Sequence, residues 1–314
     1  MKCRIHEKLF FLLIFIFVLG LPIVASADAT DATDLPHHAE SSIEIEYFNM
    51  GDSKSNTGNA QVGTSGLLIE TEYEKNNIAF SFNYERWNYN WKNPENLPFV
   101  SGTKAPWSTF TTLQFGLAYE QETDGKWEFN YYVEAESSFE KETSRSGEYE
   151  GGIDFIYEQS ESWAYRLNFN YEYLDATGGE FGVDLEIEWN HHKKDGWSGE
   201  FEISSEFPET SLTYHFTKVF STTMFFNESG TNTIRLSDSS PVTGMQGGYF
   251  EDEYNAFGIQ VDYELAHETY LSFTVQQNTG RRFSFVDSTG REEAETVYQF
   301  DDTFEAAIGF LYTF

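Results

Sequence analysis

Cysteine is all but missing from the chain: one residue in 314, at Cys3. It sits in a segment unlike the rest, where Lys2, Arg4 and Lys8 precede an apolar run from Leu9 to Leu21, followed by Ala25-Ser26-Ala27. That order is the pattern of a secretory signal peptide over residues 1–27, cut before Asp28. The run is too short for the ~20 residues of a membrane-spanning helix and stops at Pro22. With Cys3 removed, disulfides, thiol redox chemistry and cysteine metal sites are excluded, as is a lipid anchor on a cysteine at the cleavage point.

Basic residues are scarce as well. Nineteen Lys and Arg face 52 Asp and Glu, for a formal charge of −33, so nucleic acid and anionic lipid surfaces are poor partners. Long apolar runs are absent after residue 27, where no stretch approaches the ~18 residues of a membrane helix. No helical stripe of apolar residues occurs there either.

Aromatic residues, at 18% of a chain whose mean hydropathy is −0.49, are plentiful, and they are spaced by two. Residues 28–41, with Asp28-Ala29-Thr30 repeated as Asp31-Ala32-Thr33, read as a flexible leader. From Ile43 the chain alternates: Ile78, Phe80, Phe82 and Tyr84 are separated by Ala79, Ser81 and Asn83, and Phe181, Val183, Leu185, Ile187 and Trp189 by Gly182, Asp184, Glu186 and Glu188. Period two makes one face of each strand apolar and the other polar. A soluble sandwich alternates in the same way, but its strands centre on about 5 or 6 residues, whereas these run to roughly 10–14. Aromatics also crowd the strand ends, at Trp87, Tyr89 and Trp91 and at Trp127, Trp163, Trp189 and Trp197, where the interface girdles of a membrane barrel would sit.

The connections point the same way. Strands are expected near 42–50, 66–75, 77–90, 108–121, 126–139, 148–158, 163–175, 180–190, 197–206, 210–217, 221–228, 252–264, 269–280 and 303–314. Short turns, such as Lys75-Asn76-Asn77 and Ala266-His267-Glu268, alternate with connections that include all the long ones, 51–65, 91–107, 229–251 and 281–302. This predicts an all-β fold: a transmembrane antiparallel up-and-down β-barrel over 42–314, of about 14 strands, with short periplasmic turns and longer extracellular loops. Twelve strands result if Phe207-Pro208-Glu209-Thr210 is a bulge within one strand instead of a turn. Closure lets strands cross a bilayer, because it pairs every backbone group.

The stretch Gly309-Phe310-Leu311-Tyr312-Thr313-Phe314 resembles the C-terminal signal of Gram-negative outer-membrane barrel proteins, with Gly309, Tyr312 and Phe314 at the matching positions and Ile308 where a polar residue is usual. The resemblance implies an outer-membrane location and recognition by the barrel-assembly machinery. The overall layout, including the Phe207-Pro208-Glu209-Thr210 corner before Leu212, also resembles a group of outer-membrane barrel proteins of uncharacterised function.

With the aromatic series toward lipid, the opposite series lines the lumen. It contains Glu70, Glu72, Glu128, Glu134, Asp184, Glu186, Glu188, Glu200, Glu202 and Asp262, and few cations, notably Arg166. Such a lining concentrates cations and repels anions, so the expected function is a passive pore for small, cationic solutes. The alternative is a non-conducting barrel acting through its loops, which read as polar and without a binding motif. No catalytic, cofactor or metal site is expected. His37, His38, His191 and His192 fall in the leader or in a turn, His267 beside a turn, and only His215 can face inward, with no serine tied to it by motif.

Overall fold

The computed structural model describes residues 40–314, apart from 101–103, 124, 176–177, 191–194, 204–207, 231–232 and 289–296. The expected signal peptide, nearly all of the leader, and the histidines at 37, 38, 191 and 192 therefore lie outside the described residues. The wall strands are β1 Glu40–Lys54, β2 Gln61–Lys75, β3 Ile78–Lys92, β4 Thr109–Glu122, β5 Trp127–Phe139, β6 Gly147–Ser160, β7 Trp163–Leu174 and β8 Gly178–Trp189. They continue as β9 Gly196–Ile203, β10 Pro208–Thr217, β11 Phe220–Gly230, β13 Tyr249–Ala266, β14 Thr269–Val286 and β16 Thr303–Thr313. Two-residue strands β12 Ile234–Arg235 and β15 Tyr298–Gln299 lie in the long connections.

Each wall strand runs antiparallel to its neighbours, and β16 pairs with both β14 and β1, closing a barrel of 14 strands. The twelve-strand alternative is thereby excluded. Glu209 opposes Glu202 and Thr210 opposes Phe201, so β9 and β10 are two strands of a hairpin and not one bulged strand. All the expected strands occur. Several reach further than their periodicity indicates, because β1, β2, β13 and β14 continue past the apolar zone to Lys54, Gln61, Tyr249 and Val286.

One end of the barrel, here the turn end, carries both ends of the wall and the short connections. Asn76 and Asn77 link β2 to β3 with φ of 53° and 63°, the pair of left-handed residues that a type I′ hairpin needs and that asparagine tolerates. The opposite, loop end carries the long connections. Between the two, Tyr47, Phe80, Phe115, Phe181, Phe257, Phe273 and Phe304 stand exposed on the outside. At the turn end they are bordered by exposed Trp127, Trp163 and Trp197.

Among the described residues, the main buried apolar cluster occupies the loop end, inside the barrel. Leu97, Phe99 and Trp107 from the β3–β4 connection, with Leu236, Val242 and Met245 from the β12–β13 connection, pack on inward-facing Tyr89, Phe110, Phe250, Phe283 and Phe285. Trp107 and Phe250 have ring centroids 4.3 Å apart, as do Phe283 and Phe300. The two connections join each other through a Val100–Val242 bridge and a Thr243 N–H donating to Phe99 O at 2.9 Å. β12 adds beside the end of β5, with the Glu140 N–H donating to Arg235 O at 2.9 Å. At ~1.5–3 kcal/mol for each buried large side chain, the six loop residues contribute on the order of 10 kcal/mol, so apolar burial holds this plug.

Two sequence expectations are corrected here. Trp87, Tyr89 and Trp91 are not girdle residues. They share the inward parity of β3, Trp87 and Tyr89 are buried, and Trp91 packs partly buried against the core. The long loops are also not simply polar, since their scattered apolar residues converge on one cluster.

Candidate functional site

Below the plug the inner wall is polar, and its charge is concentrated on one side. Neighbouring strands place inward residues directly opposite one another, so each cross-strand row can be followed around the barrel. One row runs Ser42, Glu72, Ser81, Gly116, Glu134, Glu150, Glu172 and Glu180, from β1 to β8. Because barrel strands are tilted, such a row climbs as it crosses them. Glu72 lies three residues from the turn-end terminus of β2, whereas Glu180 lies two from the loop-end terminus of β8. The result is a staircase of carboxylates joining the two ends. A second row sets Arg166, Glu186, Glu202 and Glu209 side by side, and a third opposes Glu188 to Glu200.

Amides and a phenol hold the staircase carboxylates in place. Asn83 donates to Gln114 at 2.7 Å and Gln114 to Glu134 at 2.5 Å. Tyr132 and Asn170 donate to Glu150 at 2.7 and 3.1 Å, while Asn130 and Asn168 donate to Asp154 at 3.2 and 2.8 Å. Gly152 makes room for this arrangement, because a Cβ there would stand 2.6 Å from the Tyr132 hydroxyl. Arg166 gives one hydrogen bond of 3.0 Å to Glu186.

Three adjoining cavities follow the same arc. The first, of about 620 Å³, is lined by Glu44, Glu70, Glu72 and Glu134 at the turn end. The next, about 340 Å³, shares Glu72 and Glu134 and adds Tyr132, Asp154 and Asn168. A third of about 260 Å³ continues past Glu150 and Arg166 to Asp184, Glu186 and Glu202. The opposite arc, β10 to β16, is mostly neutral, with Ser211, Thr213, Thr223, Gln260, Thr274 and Gln276 among its inward residues.

The carboxylates expected in the lumen are thus dispersed. Glu70, Glu72 and Glu134 line the first cavity, and Asp184, Glu186 and Glu202 the third. Glu188 and Glu200 oppose one another nearer the turn end, and Glu128 lies beside Ile156 one residue from the β5 terminus. Asp262 lies on β13, in the mostly neutral arc, accepting a hydrogen bond from Gln260 at 2.8 Å. Glu150 and Glu180 were not singled out by the sequence, although both obey the strand parity. What the sequence did not carry was the register that aligns them.

His215 has a partner that no motif indicates, since its Nε2 lies 3.2 Å from Ser198 Oγ. Both residues sit on continuous strands whose backbone amides serve the β9–β10–β11 ladders. The pair ties β9 to β10. Also at the turn end, Phe314 of the C-terminal stretch exchanges backbone hydrogen bonds with Ser41 at 2.7 and 3.0 Å. Gly309 opposes Glu46, and Tyr312 opposes Ile43.

These features define a closed β-barrel with an apolar exterior and an acidic interior. No protein-family model matches the sequence, and no curated protein does. Solved structures similar to it are outer-membrane channels and porins. An outer membrane channel from Pseudomonas putida F1 is 8% identical, with 91% of this chain and 100% of that one covered and a TM-score of 0.43. The P. putida toluene transporter TodX is 7% identical over 89% and 91%, with a TM-score of 0.47. The KdgM porin is 11% identical over 86% and 99%, with a TM-score of 0.36. Values this low carry no statement about solutes, and the fold rests on the chain's own strand pairing.

Proposed function

We propose that the chain is an outer-membrane pore that passes small solutes with a preference for cations, its turn end in the periplasm and its loop end outside. The exposed aromatic band on a closed barrel supports the membrane reading, since such a surface costs least against lipid. The observation that carries the cation preference is the row Glu134, Glu150, Glu172 and Glu180, four carboxylates directly opposed on adjacent strands. Like charges placed directly opposite destabilise a sheet, and a stream of counter-ions relieves that cost. Purified protein in planar bilayers under a salt gradient tests the proposal. Discrete conductance steps with a reversal potential of cation sign are expected, and anion preference refutes it.

A second reading has its own support. The aromatic plug fills part of the loop end, which suits a non-conducting barrel that presents its loops to a partner. An absence of any conductance step in correctly folded protein would favour it.

A further inference from the structure

The plug and the carboxylate staircase share β2 but separate toward the loop end, where the staircase has crossed to β6, β7 and β8. Plug contacts come from inward residues of β1 to β4, β13, β14 and β16, with β12 reaching the end of β5 and Tyr249 and Val286 packing on Leu174 at the end of β7. In that sector the inward residues toward the loop end have almost no solvent contact: Met50 is 1% exposed, and Phe250, Asp252 and Phe283 are 0%. On β6 to β8 the equivalent positions remain accessible, with Glu150 and Glu172 half-buried and Glu180 exposed. This is also where the wall is lowest. Among the described residues, β9 ends at Ile203, opposite Leu185, so β8 continues past it toward Gly178 without a paired neighbour on that side.

Resting on the reading of the inner wall as a cation path, we propose that the path is eccentric: solutes pass the plug on its open side, climbing the staircase Glu72, Glu134, Glu150, Glu172 and Glu180 and leaving between β8 and the short β9–β10 hairpin. The axis of the loop end is sealed and takes no part. Glu150, Glu172 and Glu180 are then the residues that set selectivity at the exit, and Arg166, bonded to Glu186 six residues further toward the turn end on the same strand pair, is the cation that limits the approach to it. From Glu134 to Glu180 a passing cation would exchange hydration water for carboxylate oxygens in successive steps about one strand spacing apart, ~4.8 Å, whereas Ser81 and Gly116 separate Glu72 from Glu134.

Cysteine accessibility tests this directly, since Cys3 is the chain's only thiol and lies in the segment expected to be removed. Asn170→Cys places a thiol beside Glu150, and Met50→Cys places one beneath the plug. Intact cells carrying each full-length variant are treated from outside with a small trimethylammonium methanethiosulfonate, and in parallel with its sulfonate analogue. The expected result is modification of Asn170→Cys at least tenfold faster than Met50→Cys, with the cationic reagent faster than the anionic one. Equal rates at the two positions overturn the proposal, and so does an Asn170→Cys thiol that resists the reagent from outside. The labelling needs no ion flux, so rapid modification of Asn170→Cys in a protein that shows no conductance would sink the pore reading while leaving the eccentric opening in place.

Discussion

Arg281 and Asp252 form an ion pair with 0% exposure on both side chains, where the plug meets the wall. The guanidinium also donates to Thr64 at 2.9 Å, Tyr89 donates to Asp252 at 3.0 Å, and Arg281 lies 5.1 Å from the Phe283 ring. Removing one partner strands a buried charge, which costs ~3–5 kcal/mol. Arg281→Met should therefore lower folding stability by about that amount in detergent denaturation, and a loss under ~1 kcal/mol would mean that water reaches Asp252. Glu172 makes the opposite case, with Glu150 and Glu180 opposed to it on either side. Glu172→Gln relieves two like-charge contacts and should stabilise the barrel by ~0.2–1 kcal/mol per contact while lowering its cation preference. Neither residue could be assigned such a partner from sequence. Arg281 pairs across a bulge between Glu253 and Asn255, where Gly280 adopts φ of 68°, and that bulge carries no mark in the alternation.

At the scale of elements, strand positions were legible because period two is a local property and every wall strand displays it. The count of fourteen followed from the alternation of short turns, such as Lys75-Asn76-Asn77, with longer connections. The plug was not legible: Leu97, Phe99 and Trp107 lie in a stretch broken by Pro98 and Pro106 with no sustained period, and their burial depends on contacts far along the chain. Trp87, Tyr89 and Trp91 illustrate how position can mislead. Their odd parity already set them opposite Phe80, Phe82 and Tyr84, but their place near a strand end suggested a girdle. The last strand behaves as its alternation indicates, with Phe304, Ile308, Phe310, Tyr312 and Phe314 exposed. Deleting Phe314 removes both of its hydrogen bonds to Ser41 at the seam of the barrel. Assembled, heat-modifiable protein in the outer membrane should fall severalfold, whereas the single-channel conductance of the remainder should not change. Normal assembly of the deletion variant would show that the seam closes without it.

For the molecule as a whole, one arc of the lumen carries the carboxylates and the other hydroxyls and amides, with a plug over part of the mouth. Composition announced the acidity but not its asymmetry, because facing residues come from strands whose register is set only when the barrel closes. Asp262, grouped with the acidic lining by parity alone, stands on the neutral arc for that reason. An acidic arc at low ionic strength has a Debye length near 30 Å at 0.01 M against 3 Å at 1 M, so its field fills the lumen only in dilute salt. Cation preference should accordingly weaken as bulk salt rises, which comparison of reversal potentials at fixed gradient and increasing concentration will measure. The most direct test of the central claim is the reversal potential of the wild-type protein in a planar bilayer across a tenfold potassium chloride gradient. The barrel described here predicts a potential of the sign set by potassium, moved toward zero in a Glu150→Gln, Glu172→Gln, Glu180→Gln triple variant. A chloride-signed potential, or one that the three substitutions leave unmoved, would contradict it.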